Sequence, residues 1–258
     1  MQRVRFYLRL TLGALGFAAS VLYLVALRLL RQRRSASRGA FAHMMGRLTC
    51  AGIGVRVRPR HRERMHLHHP CVYVANHQSY VDYPIMGNVF PSSAVVMARQ
   101  VGDLPLLGWL FRDTGNIVVD RDVPMRAAAA LDDAERAIRE RDVSVWIFPE
   151  GTRGGGTGEL GPFRRGAFRL AIATGAPIVP VVASPLKPHV DLRARRLDPH
   201  EVELRVLEPV PVAGLTHDDE ERLRHHVRAL MQAALDEMSS AADLAGSVDH
   251  NTRVRTHS

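Results

Sequence analysis

The segment Asn76-His77-Gln78-Ser79-Tyr80-Val81-Asp82 sets an imidazole and a carboxylate five positions apart. Those two groups are enough for a general base and the residue that orients it. Downstream, Phe148-Pro149-Glu150-Gly151-Thr152-Arg153 reads as a turn rich in backbone donors, carrying one carboxylate and one guanidinium. Arg153 can give a phosphate two parallel hydrogen bonds, Thr152 adds a hydroxyl, and Gly151 permits close approach of the backbone. A base that activates a hydroxyl beside a phosphate clamp points to group transfer onto a phosphorylated alcohol.

The spacing also dictates how the first pair must be held. Residues five apart on one straight helix do not share a face. Ser79-x-x-Asp82 has the form of a helix start, with Ser79 as N-cap and Pro84 within the first turns. His77 in the preceding loop can then meet Asp82 in the first turn, which would fix the imidazole tautomer and stabilise the imidazolium. The plainer alternative is that Asp82 only caps the helix and His77 is a surface loop residue.

Both segments close apolar runs, so both are expected at strand ends, where sites of α/β proteins lie. Cys71 to Ala75, Ala94 to Ala98, Asn116 to Val119, Val143 to Phe148, Ile178 to Val182 and Val202 to Leu207 read as strands. Between them, Met125 to Arg141 follows Pro124 as an Ala-rich helix. Arg164 to Thr174 is a second helix, stopped by Gly175 and Pro177. Asp218 to Met238 repeats Leu223, Val227, Leu230, Met231, Ala234, Leu235 and Met238 at helical spacing, so one face should pack on the body. The alternation predicts an α/β fold: a mixed, largely buried sheet covered by helices, with an N-terminal membrane-associated helical segment. The expected division is 1–50 as membrane-anchoring helices, 51–240 as the α/β domain and 241–258 as a disordered tail.

Leu10 to Leu27 is 18 residues without a charge, roughly 27 Å as a helix and barely the thickness of a bilayer's hydrocarbon core. A spanning helix and a helix lying in the interface both fit. Arg28, Arg31, Arg33, Arg34 and Arg38 follow it, which favours a cytoplasmic body. Gly13, Gly16 and Ser20 form a face for close packing of a second helix, with Arg38 to Cys50 as the candidate.

Across 258 residues Lys+Arg exceed Asp+Glu by 35 to 26, which favours an anionic partner. A nucleic-acid partner lacks support, since zinc-finger spacing and RNP-like motifs are missing and 6% aromatic residues offer little for stacking bases, and a membrane surface or phosphorylated lipid fits better. Cys50 and Cys71 are the only cysteines, in no recognisable Cys/His arrangement. His61, His66, His68 and His69 lie among Arg60, Arg62, Arg64 and Pro70, which reads as an exposed loop rather than a metal site. Gly154 to Gly158 lacks the phosphate-loop pattern and reads as a mobile loop over the site.

The two motifs in this order, with Gly115 to Arg121 between them and Ile178 to Val182 after them, resemble the glycerolipid acyltransferase family, in its bacterial 1-acylglycerol-3-phosphate acyltransferase branch. The likeness takes in Gly46-Arg47-Leu48 and Phe163 to Phe168, and so covers roughly residues 40 to 210. It implies direct acyl transfer in phospholipid biosynthesis, with His77 and Asp82 catalytic, onto the sn-2 hydroxyl of lysophosphatidic acid. The co-substrate would be an acyl-CoA or acyl carrier protein thioester, with no other cofactor and no metal. Arg121 becomes a second phosphate contact, with Val118 replacing a common Phe, and Arg99 stands where a Lys is frequent. Glu150, Gly151, Thr152 and Arg153 become substrate-binding residues, and Glu150 either binds the glycerol part or holds Arg153. Arg99 would meet the anionic donor or lipid. The implied location is the inner membrane, on an anionic surface with the site facing the cytoplasm. Two alternatives stand: acylation of glycerol 3-phosphate or another lysophospholipid, and a non-catalytic lipid-binding membrane protein.

Overall fold

A computed structural model describes residues 1–255 except 90–91, 105–106, 121–122, 155 and 188. The chain opens with a helical hairpin, α1 (Gln2–Leu29) and α2 (Arg34–Ile53). Its seam is built from small residues. A Cβ on Gly13 would meet Ile53 Cγ2 at 2.4 Å, one on Gly16 the Leu48 carbonyl oxygen at 2.6 Å, and one on Gly52 the Gly13 nitrogen at 2.6 Å. Ser20 is buried in the same face and turns its hydroxyl back to the Gly16 carbonyl. The small-residue stripe read from the sequence therefore is the packing face, and its partner reaches three residues beyond Cys50.

After the left-handed Gly54 (φ 81°) come β1 (Val55–Arg60), α3 (Arg64–Leu67), β2 (Val72–Ala75), α4 (Asp82–Gly87), β3 (Ala94–Ala98), α5 (Arg99–Gly102) and α6 (Leu107–Asp113). They are followed by β4 (Ile117–Val119), α7 (Pro124–Arg139), β5 (Val145–Ile147), α8 (Gly166–Thr174) and β6 (Ile178–Ala183). A small hairpin, β7 (Val190–Asp191) with β8 (Arg196–Leu197), precedes β9 (His200–Val206) and the long α9 (Glu220–Arg255). Seven strands form one sheet in the order β1-β9-β6-β2-β5-β3-β4. Every neighbouring pair is parallel except β6 with β9. The mixed α/β architecture matches the sequence expectation.

Alternate residues of the central strands feed two cores. Val72, Val74, Val145 and Ile147 pack under α7, α8 and α9, while Tyr73, Ala75, Trp146 and Phe148 pack on the other face with Cys50, Ile53 and Ile85. Burial on both faces is why these strands read as unbroken apolar runs. The sequence reading missed β1, whose alternation of valine and arginine belongs to an edge strand with one inward face. Along α9, Leu223, Val227, Met231, Ala234, Leu235 and Met238 are core residues, but Leu230 stands half exposed. The helix runs on to Arg255, where the sequence reading places a tail from 241; residues 256–258 lie outside the described ones.

Because β2, β5 and β6 are parallel neighbours, their C-terminal ends open at one edge. The segment after β2 and the segment after β5 are therefore delivered side by side, as an α/β site requires.

Candidate active site

The register of β2 on β5 pairs Tyr73 with Trp146 and Val74 with Ile147. Continued past the strand ends, that register sets His77 beside Glu150. The Glu150 carboxylate accepts the His77 backbone N–H at 2.9 Å with Oε1 and the Gly161 N–H at 3.0 Å with Oε2. The Gly154 N–H donates to the His77 carbonyl at 2.8 Å. The loop carrying the histidine is thus tied on both its donor and acceptor sides to the segment after β5. Burial pushes the Glu150 carboxyl above its ordinary range, and the two N–H bonds act against that rise.

Of the two roles the sequence left open for Glu150, holding Arg153 is not seen: both its oxygens hold backbone. An amide there offers one acceptor and one NH2, so either the His77 or the Gly161 N–H would face a donor. Glu150→Gln is expected to cost about 1–3 kcal/mol of stability and to slow turnover by displacing His77. Chemical denaturation and a turnover assay on the same preparation check both.

His77 and Asp82 meet. The Nδ1 atom lies 2.6 Å from Asp82 Oδ2, with the imidazole largely buried and the carboxylate fully so. The same oxygen accepts the backbone N–H groups of Gln78 at 2.6 Å and Ser79 at 2.9 Å. A carboxylate partner makes Nδ1 the donor and leaves the Nε2 lone pair available as acceptor. The imidazole stacks on Phe148, centroids 4.4 Å apart, and Phe148 meets Tyr83 edge-on at 5.7 Å. The helix does not start at Ser79, however. It begins at Asp82 after Val81, with no side-chain cap. The capping logic ran in the other direction: the acid takes the backbone donors, so Ser79 contributes its N–H and not its hydroxyl.

Two amides that the sequence reading passed over hold this loop to β6. Asn76 gives Nδ2 to the Ala183 carbonyl and takes the Ala183 N–H on Oδ1, both at 2.9 Å. Gln78 donates to the carbonyls of Ala183 and Ser184 and accepts the Leu186 N–H at 3.0 Å. Polar amides closing an apolar strand were the available signal, since a buried amide needs all its partners met.

Arg153 and Thr152 are exposed at the mouth, and Gly151 adopts φ 70° to turn the chain there. The Arg153 guanidinium lies 3.8 Å over the Tyr80 ring and has no carboxylate partner among the described residues. Arg121, the second phosphate candidate, lies outside the described residues. Arg99 does not stand free for a donor or lipid: its guanidinium pairs with Asp120 at 2.8 Å and Asp103 at 3.0 Å. A small cavity beside His77 is walled by Gln78, Glu150, Gly156, Thr157, Leu160 and Leu235. The Gly154 to Gly158 loop therefore does border the site, although Gly155 lies outside the described residues. His61, His66, His68 and His69 are exposed. Cys50 and Cys71 are buried, which pushes the Cys50 thiol up to about 12 and raises that of Cys71. Neither is a ready nucleophile.

An oriented base with an available acceptor, beside an exposed guanidinium, can take a proton from an alcohol held by its phosphate. Comparisons with known proteins show the family to which the chain belongs. The family model described as Acyltransferase matches residues 56–184. The 1-acyl-sn-glycerol-3-phosphate acyltransferase of Escherichia coli K12 is 34% identical over 212 residues, covering 81% of this chain and 85% of that protein. Its counterpart from Salmonella typhimurium LT2 is 35% identical over 199 residues, covering 77% and 80%. Among solved structures, the 1-acyl-sn-glycerophosphate (LPA) acyltransferase of Thermotoga maritima superposes with a TM-score of 0.77. That match has 22% identity and covers 93% of this chain and 98% of that one, a likeness of fold.

Proposed function

The chain belongs to the acyltransferase family, and from that membership we infer that it is a 1-acylglycerol-3-phosphate acyltransferase. It moves a fatty acyl group from a thioester to the sn-2 hydroxyl of lysophosphatidic acid and so makes phosphatidic acid. The observation that carries the mechanism is the 2.6 Å contact between His77 Nδ1 and Asp82 Oδ2. Nε2 takes the hydroxyl proton as the oxygen attacks the thioester carbonyl carbon, and Asp82 stabilises the imidazolium that forms. Collapse of the tetrahedral intermediate forms the ester C–O bond and breaks the C–S bond. The departing thiolate then takes the proton from Nε2. A thioester is already activated, so the steps need no covalent enzyme nucleophile.

Arg153, steadied on Tyr80 and without a carboxylate partner among the described residues, is the residue we assign to the acceptor phosphate. Arg153→Lys keeps the charge but loses the planar fork. The apparent KM for lysophosphatidic acid is expected to rise about tenfold, with KM for the thioester nearly unchanged; steady-state kinetics on both substrates checks this. The acceptor reading as a whole is tested by offering purified protein lysophosphatidic acid, glycerol 3-phosphate and a neutral lysophospholipid, each with acyl-CoA and with acyl carrier protein thioester. Preference for lysophosphatidic acid supports it, and preference for either other acceptor overturns it.

α1 is long and apolar enough to cross a membrane. We propose that it lies in the interface of the cytoplasmic leaflet instead. Arg9 bonds the Leu197 carbonyl at 2.6 Å and Arg28 the Asp113 carboxylate at 2.8 Å, so both ends of the apolar run are tied to the same folded body. Those tethers stand about 28 Å apart along the axis, and a perpendicular span would put parts of one domain on opposite sides of the bilayer. The division we propose is an interfacial hairpin before Gly54 and an acyltransferase domain after it. Phe6 and Leu24 are buried, so exposed positions rather than a deletion make the test. Leu15 and Leu22 are 61% and 70% exposed. Changing both to Lys is expected to weaken vesicle binding by about tenfold or more with the melting temperature unchanged, as read by sedimentation with vesicles and by thermal denaturation.

A further inference from the structure

The chain has two tryptophans. Trp146 is fully buried against Tyr73, whereas Trp109 on α6 is 59% exposed. Beyond α2, and apart from Leu67, Tyr80 and Leu230, every exposed large apolar side chain among the described residues falls on the stretch 104–125: Leu104, Trp109, Val123 and Met125. Single exposed apolar residues need no explanation, but a gathered set beside an apolar helix does.

The other side of α6 is docked on the helical hairpin. Leu110 is fully buried with Leu24, Phe41 and Met45, and Phe111 meets Phe41 edge-on at 6.2 Å. Asp113 holds Arg28. This is the end of α1 where Leu22, Leu29 and Leu30 stand exposed. Trp109 therefore extends the uncovered apolar surface of α1 onto the domain. Arg112 is three residues on, sharing the exposed face of α6 with Trp109. The start of α7, with Val123 and Met125, is tied to α5 through Asp120, which bridges Arg99 of α5 and Arg126 of α7. Tyr83 packs on the same cluster and touches Phe148, the ring beneath His77. The α6 surface is thus mechanically joined to the site.

We propose that α6 is a second membrane contact, with Trp109 entering the headgroup layer of the leaflet that takes the exposed face of α1. The proposal rests on the interfacial reading of α1 above. A phospholipid leaflet fits this surface because it continues the α1 face and because an exposed amphipathic indole suits a headgroup layer, while Arg112 beside it is paired with Asp103 at 3.7 Å. The consequence is that the domain is held at two places, which fixes the distance of its site from the lipid that carries the acceptor.

The test is tryptophan emission of the full chain on phosphatidylethanolamine–phosphatidylglycerol vesicles with bromines on the acyl chains near the glycerol, with sedimentation reporting binding separately. Trp109 is expected to be quenched, leaving the emission of Trp146, and Trp109→Phe should remove the quenchable component while the protein still binds. Vesicle-bound protein whose emission is the same with and without bromine overturns the α6 contact and leaves the interfacial α1 standing. Protein that does not sediment with vesicles overturns both. An emission already shielded without vesicles, and changing with protein concentration, would mean that a second copy covers Trp109, which also overturns the proposal.

Discussion

His77→Ala is expected to lose acyl transfer by about 100- to 10,000-fold, the usual contribution of a positioned general base. The loss should fall on turnover and not on folding. Among the described residues the ring makes one hydrogen bond, to Asp82, and one stack, on Phe148. Asp82 keeps its two backbone donors without it. The loop is also held independently of the imidazole, through Glu150, Asn76 and Gln78. Turnover measured beside a melting curve and a vesicle-binding assay separates the two effects. Near-normal turnover in the folded variant would remove the base from the mechanism.

Asp82→Asn is expected to cost about 100- to 10,000-fold as well, and for a separable reason. Among the described residues Oδ2 carries all three donors, while Oδ1 is buried without a hydrogen bond. The oxygen of an amide can therefore take the place of Oδ2, with its NH2 at the unpartnered position and the His77 tautomer kept. What is lost then is the negative charge that stabilises the imidazolium. If the amide turns the other way, His77 Nδ1 meets a donor, the wrong tautomer results, and the loss moves to the upper end of the range. Asp82→Ala differs again, because it strands the Gln78 and Ser79 N–H groups and should also lose about 1–3 kcal/mol of stability. Comparing both variants by turnover and by denaturation tells charge from scaffolding: the asparagine variant should be slow but stable, the alanine variant slow and unstable. An asparagine variant with near-normal turnover would show that the carboxylate charge is dispensable.

The parts legible in the sequence were those governed by local pattern. Val72 to Ala75 and Ile178 to Ala183 announce themselves because both faces of each strand are buried. Gly13, Gly16 and Ser20 announce a close helix contact because only small side chains permit one. The spacing of His77 and Asp82 allows them to meet only across a turn, but it leaves a plain helix cap as the alternative, and the family resemblance is what favours the pair. Long-range register was not legible. Glu150 faces the His77 N–H only because β2 and β5 pair in one register 73 residues apart, and no local signal encodes that. The same holds for Asn76 and Gln78, whose partners on and after β6 lie more than a hundred residues away. β1 was legible in principle: Val55 and Val57 alternate with Arg56 and Arg58, but the charges masked a half-buried strand. Neither the two tethers of α1, on Leu197 and Asp113, nor the stacking of Arg153 on Tyr80 has a signature in composition or periodicity.

Direct transfer to the sn-2 hydroxyl of lysophosphatidic acid can be followed by the fate of the acyl group. Purified full chain is mixed with an acyl thioester labelled in its acyl group, with and without 1-acylglycerol 3-phosphate, and the lipid product is cleaved to locate the label. The expected result is labelled phosphatidic acid with the label at sn-2, formed only when the acceptor is present and with none left on the protein. Thioester consumed to free fatty acid with no phosphatidic acid, or label retained covalently on the protein when the acceptor is withheld, would contradict it.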